Sequence, residues 1–379
     1  MKRVGYLYES ITSVENCRNA ILSASRRKTR RKIVQVILKD LDFYAEDLSE
    51  RLKSLTFVTP YRPRIIRDGL SGKEREIQVP AFYPDQCAHH AIVQVLMPIV
   101  IRSSYYWSCA NIPKRGNDHA SKGIERATIR DVKHSKYCVK CDIRKFYPSI
   151  PHDMLKDCLC RKIKDKKALK ILYAVIDSYP VGLPIGNYTS PWLAEMYLQR
   201  FDMMVKQKLK VKHYVRYADD TVIIGSNKRK MHRALKEVIR ETHCLGLEIK
   251  KNYQLFLIMR HGRGRKIDFV GKCYGRGYTT IRKCRSLAFM RQSRRIQKLQ
   301  INACHVPYKM ASGFVSRSNC LKRTKSSGLK QKYYDTINIK ELKEAIRHES
   351  KRKRGAEIAR HRSSSSADAV RSSKAPREH

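Results

Sequence analysis

Three aspartates carry the chemistry this sequence offers. Asp219 and Asp220 are adjacent, between His213-Tyr214-Val215-Arg216-Tyr217 and Thr221-Val222-Ile223-Ile224. Both flanks read as short strands, and Ala218 to Asp220 leave too few residues for anything but a tight hairpin. Two carboxylates at such a tip repel each other, which raises a pKa unless a cation neutralises them. A third acid, Asp142, closes another strand-like run, Tyr137-Cys138-Val139-Lys140-Cys141. Placed beside the hairpin, Asp142 would complete a cage of hard oxygen ligands suited to Mg²⁺. Two such ions about 4 Å apart can activate a hydroxyl nucleophile and stabilise a leaving pyrophosphate in an in-line displacement. An Asp-Asp pair on its own is more often only a turn. The weight therefore falls on the elements around it.

Those elements read as an alternation of strands and helices over residues 136 to 275. Upstream, residues 1 to 60 form an N-terminal helical segment, with Thr12 and Glu15 spaced as a capping box before Val14, Cys17 and Ile21. A basic stretch, Arg26 to Lys32, interrupts the helical pattern and suits phosphate contacts. Arg64 to Arg67 and Glu74 to Val79 flank turn residues and predict a hairpin. Asp85 is placed to cap an apolar helix running to Ile101, and Tyr105 to Gly123 reads as a loop. Residues 283 to 350 are helical and basic. On the first of these helices Phe289, Ile296 and Leu299 share one side, and Arg291, Arg294, Arg295 and Lys298 are available to a duplex backbone. The tail, 351 to 379, is basic and then serine-rich, a composition expected to stay disordered.

The ordered set of motifs resembles the reverse transcriptase family. Asp142-Ile-Arg-Lys-Phe-Tyr147-Pro-Ser-Ile, Leu183-Pro-Ile-Gly-Asn-Tyr-Thr-Ser190-Pro191 and Tyr217-Ala-Asp-Asp220 are similar to its motifs A, B and C. Leu245-Gly-Leu-Glu-Ile-Lys-Lys251 looks like motif D, and Phe269-Val-Gly-Lys272 like the primer grip. The resemblance implies an α+β right-hand polymerase fold. Fingers and palm, an antiparallel sheet packed on helices, would occupy 61 to 282, with a short helical thumb over 283 to 350. It implies an RNA-directed DNA polymerase that binds template RNA and RNA–DNA hybrid and adds dNTPs to a primer 3′-hydroxyl. Asp142, Asp219 and Asp220 would hold two Mg²⁺ ions. Arg75, assisted by Lys73, would clamp the triphosphate. Tyr147 would stack under the sugar and reject a 2′-hydroxyl. Gly186 would let the backbone approach the new base pair, and Tyr217, just before the acids of motif C, would be among the substrate-binding residues. Lys251 or its neighbour Lys250 would give pyrophosphate its proton. Ile185 stands where most of the family has Gln. With the Ile-Gly-Asn-x-Thr-Ser wording, it resembles the error-prone enzymes of diversity-generating retroelements, which implies a small basic accessory protein. Pro191 is instead what most other reverse transcriptases carry. A phage-defence or other retroelement reverse transcriptase using its own non-coding RNA is the alternative. A splicing factor that has lost its chemistry is disfavoured by the intact acids.

Composition agrees with a nucleic-acid partner. The 379 residues carry 81 Lys and Arg against 34 Asp and Glu, a formal charge of +47. Self-repulsion of that size calls for a polyanion. The longest apolar run, Ala91 to Ile101, is too short to span a bilayer, and Met1-Lys2-Arg3 opens nothing like a signal peptide. A cytoplasmic protein without a membrane partner is expected, with reduced cysteines. Cys138 and Cys141 lack a second pair to complete a zinc site and suit core packing. With only a short stretch after the thumb, no RNase H or endonuclease domain is expected.

Overall fold

The computed structural model describes residues 3–67, 72, 74–321, 324–350 and 352. It divides into two compact units, Met1–Arg265 and Lys266–His379. The division precedes the 282/283 boundary expected from sequence, because the short strands after Lys266 cluster with the helices that follow them.

In the first unit four helices come first: α1 (Leu7–Thr12), α2 (Val14–Ser25), α3 (Lys32–Lys39) and α4 (Leu41–Ser54). The expected capping box is not what starts α2. Ser13 is the N-cap, its hydroxyl accepting from the Asn16 amide at 3.3 Å, while the Thr12 hydroxyl donates back to the Tyr8 carbonyl and belongs to α1. Two short helices meet at an extended residue here, so the cap falls one position later. Strands β1 (Arg62–Arg67) and β2 (Glu74–Val79) pair antiparallel, as the turn residues between them predict.

Helix α5 (Cys87–Ser103) is buried along most of its length, as its apolar run requires. Asp85 does not cap it. Its carboxylate is buried and accepts from the Thr59 amide at 2.8 Å and the Thr59 hydroxyl at 2.6 Å, anchoring the chain before β1. Tyr105 to Gly123 is not all loop. It holds a two-residue strand, β3 (Ser108–Cys109), and the start of α6 (Asn117–Glu125).

The central sheet adds β4 (Tyr137–Asp142), β5 (His213–Tyr217), β6 (Asp220–Gly225) and β7 (Gln254–Leu257), in the order β3-β5-β6-β4-β7. Its pairs are antiparallel except β3 with β5, which run parallel. Thr221 to Ile224 of β6 are all buried, the near-continuous apolar reading of a strand covered on both faces. Helices α7 (Phe146–Ser149), α8 (His152–Cys160), α9 (Lys166–Asp177), α10 (Ser190–Met203) and α11 (Lys228–Cys244) complete the unit. Pro191 at the start of α10 costs no hydrogen bond there. The Asn227 side chain caps α11 by accepting from the Lys230 amide at 3.0 Å, and Met231, Leu235, Val238 and Thr242 form its buried stripe. Cys138 and Cys141 are both buried in β4, and burial pushes the Cys141 thiol up to about 12, an unreactive state.

The second unit contains β8 (Ile267–Phe269), β9 (Lys272–Gly275) and β10 (Tyr278–Ile281) in one antiparallel sheet. Helices α12 (Lys283–Ile301), α13 (Tyr308–Ser318) and α14 (Ser327–Tyr333) follow, with a further helical stretch at 339–350. Phe289 and Ile296 are buried in a separate small core with Phe314 and Leu342, and Leu299 packs against it, as the spacing on α12 predicts. Residues 353–379 lie outside the described residues.

Candidate active site

The acids meet through strand register. Asp142 ends β4 directly opposite Asp220, which opens β6, and Asp219 sits in the two-residue turn between Tyr217 and Asp220. Ala218 takes the left-handed conformation, φ 53°, that so tight a turn demands.

The motif-D-like segment then docks on the end of β4. The Arg144 amide donates to Glu248 at 2.7 Å and the Lys250 amide to the Asp142 carbonyl at 2.9 Å. This brings the Lys250 ammonium onto Asp142 Oδ2. Asp142 Oδ1 is buried and makes no hydrogen bond. Asp219 has its carboxyl pushed up to about 7, first by burial and then by the negative charge of Asp142, with Lys250 opposing. The Asp220 carboxylate lies 3.6 Å from Lys140 Nζ. Among the described residues no three His, Cys, Asp or Glu side chains converge as a ready metal cage. What the structure assembles is a pair, Asp142 and Asp219, with Asp220 beside it. An unsatisfied buried carboxylate oxygen and a neighbour whose carboxyl is pushed up by burial and by like charge are what a divalent cation would relieve, so the residues present fit one.

Around the pair opens a cavity of about 1170 Å³. Arg75 on β2, Tyr147, Ile185, Lys250 and Lys251 line it together with Asp142 and Asp219. Backbone bonds hold its walls at fixed spacing. The Leu183 amide donates to the Tyr147 carbonyl at 2.8 Å, and the Gln78 amide of β2 donates to the Ile185 carbonyl at 2.7 Å. Tyr147 is half-buried, its hydroxyl bonded to the Asn111 side chain and pushed up to about 12 by burial, so it stays a neutral ring on the cavity floor.

Gly186 follows Ile185 with φ 128°, and a Cβ there would stand 2.3 Å from the Gln78 carbonyl oxygen. The close approach it permits in this structure is therefore to β2. Tyr217 is half-buried at the end of β5 and does not line the cavity. Lys73 lies outside the described residues.

The sequence reading missed two features. One is the set of Glu74, Glu76 and Glu248, which put negative charge on the same walls as Arg75. The other is a buried ionic cluster under the hairpin, Arg216 with Glu195 and Asp202. A charge in the middle of an apolar strand was its signal, with two acids seven residues apart on one face of an apolar helix.

Residues 78–271, just over half the chain, match the family described as reverse transcriptase (RNA-dependent DNA polymerase). The chain belongs to the reverse transcriptase family. It is 29% identical over 174 residues to an uncharacterized 91 kDa protein in a cob intron of Schizosaccharomyces pombe, covering 42% of this chain and 21% of that protein. It is also 29% identical over 146 residues to the retron Ec73 reverse transcriptase of Escherichia coli, covering 35% of this chain and 46% of the other. The matched stretch thus spans less than half the length of either relative. Among solved structures it is similar to apo telomerase from Candida Tropicalis, with a TM-score of 0.47 and 13% identity over 81% of this chain and 60% of that one. In this member of the family the A-, B-, C- and D-like segments build the cavity together with β2.

Proposed function

We propose that this protein is an RNA-directed DNA polymerase that extends a primer 3′-hydroxyl with dNTPs on a template RNA. The observation that carries the reading is the meeting of Asp142 and Asp219 in one cavity whose other walls present Arg75, Tyr147 and Ile185. Asp142 and Asp219 would hold two Mg²⁺ ions, with Asp220 alongside. When bound, the ions supply Lewis-acid stabilisation of the in-line displacement. The primer oxygen bonds to the α-phosphorus, the bond to pyrophosphate breaks, and the hydroxyl proton passes to solvent water. Arg75 clamps the triphosphate with its guanidinium fork. Lys251 or Lys250 returns a proton to pyrophosphate, and Lys250 already lies on Asp142. Tyr147 provides the flat face under the sugar and leaves no space for a 2′-hydroxyl.

The finer reading is error-prone copying of a retroelement's template RNA, with a small basic accessory protein as partner. Its support is Ile185, an apolar side chain on the cavity wall where Gln would offer hydrogen bonds. The likeness to a retron reverse transcriptase favours a second reading, an enzyme working on its own non-coding RNA. Purifying the protein, sequencing the RNA that accompanies it and offering dNTPs to the complex tests both. A repeat of a neighbouring gene in that RNA supports the mutagenic reading, a structured RNA that primes its own copying supports the second, and no incorporation contradicts both.

A further inference from the structure

The turn that carries Asp219 is held from beneath by a buried ionic cluster. Arg216 stands on β5, three residues before Asp219, and its guanidinium is 1% exposed. Its Nε and Nη2 donate to the two oxygens of Asp202 at 2.8 and 2.6 Å. Nη2 also donates to Glu195 Oε1 at 3.0 Å, and Nη1 donates to the Ala218 carbonyl at 2.9 Å. Glu195 and Asp202 project from one face of α10 and are themselves buried. Glu195 Oε1 accepts a second bond, from the Ser108 hydroxyl of β3 at 2.6 Å. The Ala218 amide is occupied too, donating to the Cys109 carbonyl at 3.2 Å. Both backbone polar groups of Ala218 are therefore fixed from outside the turn, one by β3 and one by Arg216.

This arrangement is poorly explained by stability alone. Burying one cation with two carboxylates costs desolvation that apolar side chains of similar size would avoid. Ala218 also holds a left-handed φ that a non-glycine residue adopts at a cost. A turn under that strain relaxes unless its surroundings dictate its conformation. The guanidinium is the one group among those described that bonds α10 and the turn carbonyl at once, and its planar fork fixes the angle between them.

We infer that Arg216 is a positioning residue, which through the Ala218 carbonyl sets the Asp219 carboxylate at the spacing from Asp142 that a divalent cation requires. The inference rests on the polymerase reading for the purpose of that cation but not for the geometry. A displacement of about 1 Å at such a site costs on the order of a hundredfold in rate. Arg216→Lys keeps the charge and loses the fork.

The test compares the parent with Arg216→Lys and with Ser108→Ala, which removes one bond to Glu195 and leaves every charge in place. Three quantities are read: thermal stability, Mn²⁺ binding by the free protein followed by electron paramagnetic resonance, and the Mg²⁺ dependence of dNTP incorporation. The expected result is a folded Arg216→Lys protein whose Mn²⁺ affinity and half-saturating Mg²⁺ worsen about tenfold. The dNTP KM at saturating Mg²⁺ stays within about twofold, because Arg75 is untouched. Ser108→Ala should shift the metal dependence the same way, by about two- to threefold. Parental Mn²⁺ and Mg²⁺ dependence in a folded Arg216→Lys protein overturns the inference. If Arg216→Lys fails to fold, parental metal dependence in Ser108→Ala overturns it. A parent that binds Mn²⁺ but incorporates no dNTP defeats the polymerase reading instead, and the Mn²⁺ comparison still decides the role of Arg216.

Discussion

At the scale of single residues, the acids of the site were legible because their cost is legible. An Asp pair at a hairpin tip has to be explained, but the rise of Asp219 to about 7 comes first from burial and then from Asp142 rather than from its neighbour Asp220, which the sequence reading had paired it with. What could not be read was which lysine reaches them. Lys250 and Lys251 are equivalent in a list of letters, and only the docking of residues 248 to 250 on β4 puts Lys250 on Asp142. Two predictions belong here. Tyr147→Val removes the ring from the cavity floor and should raise ribonucleotide incorporation relative to deoxyribonucleotide by about tenfold or more, measured by single-nucleotide extension. Unchanged discrimination would make Tyr147 a packing residue. Ile185→Gln should lower misincorporation several-fold, the equivalent of about 1 kcal/mol of discrimination regained. Sequencing cDNA made by both proteins on one RNA decides it, and equal error spectra remove the case for mutagenic copying.

At the scale of elements, strands with strong alternation or full burial were found, and junctions were not. The β5–β6 hairpin follows from its apolar strands, and the β1–β2 hairpin, whose first strand is exposed throughout, follows from the turn residues in the sequence between its strands. The anchoring role of Asp85 and the strand at Ser108 depend on partners far away in the chain, Thr59 and β5, while the cap at Ser13 turns on where the neighbouring α1 ends. Local rules carry no information about such partners. Gly186 shows the same limit. Its presence signalled a close approach, but the strand it approaches is β2. Gly186→Ala would set a methyl 2.3 Å from the Gln78 carbonyl oxygen and demand an unfavourable φ. The expected outcome is a loss of about 2 kcal/mol or more of stability and a cavity wall detached from β2, seen as a lower Tm together with reduced incorporation. A variant with parental Tm and activity would show that the loop can shift freely.

At the scale of the whole molecule, the formal charge of +47 and the three acids describe two separable properties. On the proposed reading, affinity for RNA would rest on many cations and should weaken steeply with salt as counterions are released. Removing the residues after Arg354 should flatten that slope slightly and leave extension of a short primer–template nearly intact, and loss of catalysis would place the tail in the site. Sequence composition points to a polyanionic partner but says nothing of the division at Arg265, which depends on how the strands after Lys266 pack. Chemistry, in contrast, rests on a few atoms at the end of β4 and the tip of β5–β6. Asp219→Asn keeps size and shape and removes one charged ligand. Extension of a DNA primer on an RNA template in Mg²⁺, measured beside RNA binding in the same buffer, separates the two properties. The account predicts incorporation reduced by at least about a thousandfold with RNA affinity within about twofold of the parent. Incorporation by Asp219→Asn close to the parental rate would contradict it.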